Sequence, residues 1–153
     1  MGKEKVDDLI KFILPYPDNV KVAALWLREF IWDLFPGTNE LIYDNYNSVA
    51  VGWSPTDKAG DVFCSIALFS DHINFGFNRG TDFPDPQNLL IGNGTLYRYI
   101  SVREKDDFPE EYIIQLLEVA YQNSISRLKP AKKIIKGETI VKAISSVKRR
   151  PLQ

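Results

Sequence analysis

Apolar positions change their period several times along this chain. Val6, Leu9, Ile10 and Ile13 recur at helical spacing and predict a short amphipathic helix over 4–14, stopped by Pro15 and Pro17. Asp18 is the expected N-cap of a second helix. There Val20, Ala23, Ala24, Leu27, Phe30, Ile31 and Leu34 form one wide stripe, with Lys21, Arg28, Glu29 and Asp33 read as lying mostly off it. Pro36-Gly37 ends that helix, and Trp26 and Trp32 read as packing residues.

The period then falls to two. Leu41–Tyr46 reads as a strand, and Val49, Val51 and Trp53 alternate with small residues to give another. After the polar loop 54–60, Val62–Phe69 is almost continuously apolar, as a central strand should be. In the next strand Ile73, Phe75 and Phe77 face one way, with His72, Asn74 and Asn78 opposite. Leu96–Val102 gives a fifth strand after the long 78–95 loop. Asp107 and Glu110 have capping-box spacing for a third helix near Phe108, with Ile113, Leu116, Leu117 and Ala120 as its buried stripe. Thr139–Ile144 reads as a weak further helix. Helices at both ends of a run of strands predict an α+β two-layer sandwich: an antiparallel sheet of about five strands with helices packed mainly on one face.

Charge changes the picture at one end. Residues 127–153 carry nine Lys and Arg against Glu138, a net +8, leaving −9 on the preceding 126 residues of a chain whose total is −1. The chain therefore divides into a domain over 1–128 and a basic C-terminal tail over 129–153. Through Lys132, Lys133, Lys148, Arg149 and Arg150 the tail can contact nucleic acid, or it can simply be solvated. No apolar run reaches the roughly 20 residues of a membrane span, and Met1–Ile10 is too charged for a secretory signal. The single Cys64 excludes an internal disulfide and fits a reducing cytoplasm.

No catalytic constellation is legible. His72 is the only histidine, so an imidazole-based metal site is excluded, and Cys64 reads as a core residue. Cofactor fingerprints are absent too. Gly92-Asn93-Gly94-Thr95 has no Gly-Lys-Ser/Thr step and precedes a strand, so it is neither a phosphate loop of the Walker type nor a dinucleotide fingerprint. As a nest of backbone N–H groups it can hold an anion, or it can be a plain turn. Arg98 stands out because it falls on the apolar face of the fifth strand, where a guanidinium needs a carboxylate, an anion or an exit to solvent. Glu40 is the expected partner that orients it. The predicted ligand site combines Tyr43, Asn45, Arg79, Gly92, Asn93, Gly94, Arg98 and Tyr99, placed between the first strand and the 92–98 segment. Asp7, Asp8, Glu29, Asp33, Glu40 and Asp44 offer a carboxylate alternative for a hard cation.

Two stretches carry a family pattern. WLREFIWDLFPGTNELIYDNY and HINFGFNRGTDFPDPQNLLIGNGTLYRYISVR resemble the YdhG-like domain-of-unknown-function family over about residues 6–125. Pro84, Asp85, Pro86, Leu89, Leu90, Gly92, Gly94 and Arg98 match its most specific segment. Tyr99 stands where histidine is usual, and Thr95-Leu96 replaces a lysine-containing step. The resemblance implies a fold similar to the frataxin and YjbR-like group. Some relatives are described as frataxin-like iron chaperones, and most have no assigned activity. The expected function is a cytoplasmic, non-enzymatic module that binds a small ligand, an anion or a protein, with a homodimer compatible with it. The alternatives are an iron-binding chaperone using the acidic residues and a nucleic-acid adaptor using the tail.

Overall fold

The computed structural model describes residues 6–46, 48–128 and 137–146, with side chains from Asp8 onward. Two helices come first, α1 (Val6–Ile13) and α2 (Asp18–Leu34). A meander of five strands follows: β1 (Asn39–Asp44), β2 (Val49–Ser54), β3 (Cys64–Leu68), β4 (Ile73–Phe77) and β5 (Arg98–Val102). Then come α3 (Glu110–Ser126) and a last strand, β6 (Thr139–Ile144). The sheet is six-stranded, in the order β5-β4-β3-β2-β1-β6. All neighbours are antiparallel except β1 and β6, which are parallel.

One face of this sheet makes the core. Ile42, Val51, Trp53, Ile66, Leu68, Ile73, Phe75, Phe77 and Val102 pack with Leu9, Ile13, Leu27, Ile31, Ile113 and Leu117 of the helices. Phe75 and Phe77 are wholly buried, and each such side chain stabilises the fold by roughly 2–3 kcal/mol through burial alone. Phe108 anchors the entry to α3, meeting Trp26, Phe30 and Phe75 edge-on at centroid distances of 5.2–5.5 Å. The predicted α+β sandwich with helices on one face is therefore the observed fold.

Local details differ from the sequence pattern. Pro17 caps α2 with extended backbone, and Asp18 is the first helical residue. The capping box before α3 lies one turn earlier, between Glu104 and Asp107, around the single helical turn at 105–107. Thr139–Ile144 is a strand and not a helix. Its β-branched residues suit a pleated edge, and β1 offers an unpaired side to receive it. Arg28 lies on the apolar stripe of α2, four residues after Ala24, and is only 4% exposed. Lys132, Lys133, Lys148, Arg149 and Arg150 fall outside the described residues.

Candidate functional site

The predicted site does not assemble. Tyr43 and Asn45 belong to the β1 end of the sheet, and Arg98 and Tyr99 to β5. Four strand spacings separate β1 from β5, roughly 19 Å. The same separation rules out Glu40 as the partner that orients Arg98. Glu40 instead accepts a hydrogen bond from Arg28 Nε at 2.6 Å on Oε2, and one from the Thr139 hydroxyl at 2.9 Å on Oε1. Burial raises the pKa of this carboxyl more than Arg28 and Thr139 lower it. The Arg28 guanidinium also lies 4.9 Å from the centre of the Trp32 ring. Glu40 is thus a buried tie between α2, β1 and β6.

Arg98 turns back onto its own loop. One of its terminal nitrogens donates to the carbonyls of Gly94 at 2.8 Å and Tyr97 at 2.7 Å. The Thr81 hydroxyl donates to the Thr95 carbonyl at 2.8 Å, and the Thr81 N–H to the Leu96 carbonyl at 3.1 Å. Four consecutive carbonyls, 94 to 97, are therefore gathered by Arg98 and Thr81. In this arrangement the segment turns acceptors inward and does not form a nest of N–H donors around an anion. Gly92 permits the approach, with φ +136° and its α-carbon face against the Tyr97 carbonyl and the Arg98 stem. Asn93 and Gly94 are exposed. Asp85 pins the preceding turn. Burial alone would raise its pKa, but hydrogen bonds from Tyr112 and from the Leu90 and Leu89 N–H groups outweigh that and hold it below the usual carboxylate range. Arg79 donates to Asp82 at 2.7 Å beside a crevice of about 10 Å³, room for one water. Arg127 approaches the same carboxylate oxygen at 3.8 Å. Tyr99 pairs with Gly76, and its ring stacks on Tyr97.

A different concavity forms on the sheet face away from the helices. Two loops fold over that face, each seated on a strand glycine. Val62, which follows the 59–61 turn, lies so close to Gly52 that a β-carbon there would meet its methyl at 2.9 Å. The Tyr97 ring occupies the space above Gly76. Glycine inside a strand is the expected device for such close approach. Next to the first of these loops lies a cavity of about 230 Å³, lined by Tyr43, Ala50, Gly52, Val62, Ser65 and Asn78 among others. Among the described residues, no charged side chain lines it. The Ser65 hydroxyl donates to Asn78 Oδ1 at 3.1 Å. The Tyr43 hydroxyl is buried and has no hydrogen-bond partner among the described residues. Burial raises the pKa of this phenol, so it stays neutral and can both donate and accept.

Of the predicted site residues, Tyr43 alone lines this cavity. Asn45 is exposed on the β1–β2 connection, where its N–H donates to the Ser48 carbonyl at 3.0 Å. Ser65 and Asn78 were not anticipated. The usable signals were Gly52 and Gly76 inside apolar strands and the polar outward face of β4. Among the described residues, no three His, Cys, Asp or Glu side chains form a set that could hold a metal ion. Among them also, no helix is long and apolar enough to cross a membrane. No family model, curated protein or solved structure matches this chain.

Proposed function

We propose that this protein is a binding module, without catalytic chemistry of its own, that takes a small hydrogen-bonding ligand on the open face of its sheet. The observation that carries this reading is the cavity itself, on the face away from the helices, walled by Tyr43 and by the hydrogen-bonded pair Ser65 and Asn78. A concave space with a few convergent polar side chains is the ordinary form of a small-ligand site. A cavity of about 230 Å³ is just below the roughly 300–1,000 Å³ typical of ligand sites, so the ligand is small. The anion reading at Arg98 loses its support, because Arg98 is bound to loop carbonyls. Membership of the YdhG-like family belongs to the same proposal and rests on the Pro84–Arg98 pattern. A cytoplasmic setting rests on the single cysteine, Cys64, which is buried and free.

The test is a mixed-charge fragment library screened by amide chemical-shift mapping. Binders that move the Tyr43, Ala50, Ser65 and Asn78 resonances together, and that weaken on Asn78→Ala, are expected. A library in which no fragment moves that set overturns the reading.

A further inference from the structure

Apart from the cavity on the open face, with which it shares no described lining residue, we propose that the crevice between the end of β4 and the end of α3 binds an oxyanion of the phosphate class, held between Arg79 and Arg127. Arg79 follows β4 and Arg127 follows α3, so the sheet and the helical layer each supply one guanidinium. Both converge on a single atom, Oδ2 of Asp82: Arg79 Nε at 2.7 Å and a terminal nitrogen of Arg127 at 3.8 Å. The fold therefore already places one oxygen within reach of both cations. Arg79, Arg127 and Asp82 are the charged side chains among the described lining residues, two positive against one negative. Asn123 lines the same crevice and carries no charge.

Asp82 occupies the shared position and holds it weakly. The side chains of Arg79, Arg127 and Asp82 are 42%, 35% and 30% exposed, and an exposed ion pair contributes little net stability. The cluster uses Nε of Arg79 and one terminal nitrogen of Arg127, so both forks keep further N–H donors. A free carboxylate brings the same group as Asp82 without being tethered beside the site, so it competes poorly for that place. A phosphate carries more charge and more acceptor oxygens, and arginine forks match it with paired hydrogen bonds. Space sets how it sits. The crevice, walled by Phe63, Phe83 and Ala120, has about 10 Å³, so one oxygen enters beside the arginines and the rest of the anion stays at the mouth.

Inorganic phosphate is titrated into the full chain at constant ionic strength, with the Arg79 and Arg127 side-chain N–H signals and the Asp82 amide followed by NMR. A saturable shift of all three is expected, and acetate is expected to bind at least about tenfold more weakly. Arg79→Gln and Arg127→Gln are each expected to weaken phosphate about tenfold, with dispersed spectra confirming that both variants fold. Asp82→Asn is expected to tighten phosphate several-fold, because it removes the competing carboxylate. Methyl phosphate separates the two sources of the group: binding equal to that of phosphate assigns the site to a phosphate ester, and weaker binding assigns it to the free ion. Shifts that grow without saturating overturn the site, as does a saturable shift that neither arginine variant changes. Acetate binding as tightly as phosphate overturns the ligand class. Phosphate affinity left unchanged or weakened by Asp82→Asn overturns the exchange and leaves the cluster a structural tie between the 79–82 turn and α3.

Discussion

Arg28 of α2 and Glu40 of β1 meet at 2.6 Å, with the two side chains 4% and 0% exposed. Their pair links the helical layer to the sheet, and Thr139 adds β6 to the same carboxylate. Breaking a buried pair from one side leaves a charge without its partner, which costs far more than the pair contributes net. Arg28→Met is therefore expected to lower stability by about 3–5 kcal/mol. Combining it with Glu40→Leu should recover a large part of that loss, since both charges are then gone. Urea unfolding of the two single variants and the double variant checks this. Additive losses would contradict direct coupling.

The Thr139 hydroxyl is the polar contact from β6 to Glu40. Thr139→Val keeps the β-branched shape and removes that donor. A loss of about 1–2 kcal/mol is expected, appropriate to a hydrogen bond on a charged acceptor. Because β6 pairs with β1 from Glu40 to Asp44, amide exchange along β6 should quicken more than exchange in β3 or β4. Uniform quickening across the sheet would contradict a local role.

Much of this architecture is legible in the sequence, for a definite reason. The α2 stripe and the alternation in β2 and β4 each show one buried face within a single element. Arg28 and Glu40 show the limit of that reading. Arg28 sits at a stripe position by spacing, but its charge argues for the surface, and only the sheet's position explains its burial. β6 was hidden for a related cause: a short parallel edge strand has no turn signal of its own and needs the open side of β1. The candidate cavity needed the strand order as well. Tyr43, Ser65 and Asn78 are up to 35 residues apart, and nothing local brings them to one face.

Asp85 gives the acid limb of stability. Its carboxyl is held below the usual range, so its contribution is present above the unfolded value of 3.8 and is lost as pH falls through the folded value. Tyr112→Phe removes one of the hydrogen bonds that lower it. The variant is expected to lose stability near neutral pH and to show a shallower fall between about pH 5 and about pH 2 than the parent chain. Thermal melts across that range check the sign. An unchanged acid limb would mean that Tyr112 does not hold the Asp85 charge.

The 92–97 loop depends on Gly92 and Arg98 together. Gly92→Ala forces a side chain into φ +136° and presses it toward the Tyr97 carbonyl at 3.1 Å. A cost of about 1–3 kcal/mol is expected. Arg98→Ala frees the carbonyls of Gly94 and Tyr97 and should speed exchange at the Ile91 and Tyr99 amides, which bond each other's carbonyls at 2.7 and 2.9 Å. Slow exchange at both amides in that variant would show that the loop is held by its backbone bridge alone.

Tyr43 tests what a buried, unpaired hydroxyl costs the fold. Its hydroxyl is buried and has no hydrogen-bond partner among the described residues, a state that costs roughly 1–3 kcal/mol relative to a satisfied group. Tyr43→Phe removes the hydroxyl and keeps the ring against the sheet. The variant is expected to be as stable as the parent or up to about 1 kcal/mol more stable. Urea unfolding of the parent and the variant checks this. A clear loss of stability would show that the hydroxyl is satisfied, because removing a satisfied hydroxyl forfeits a hydrogen bond and removing an unsatisfied one does not.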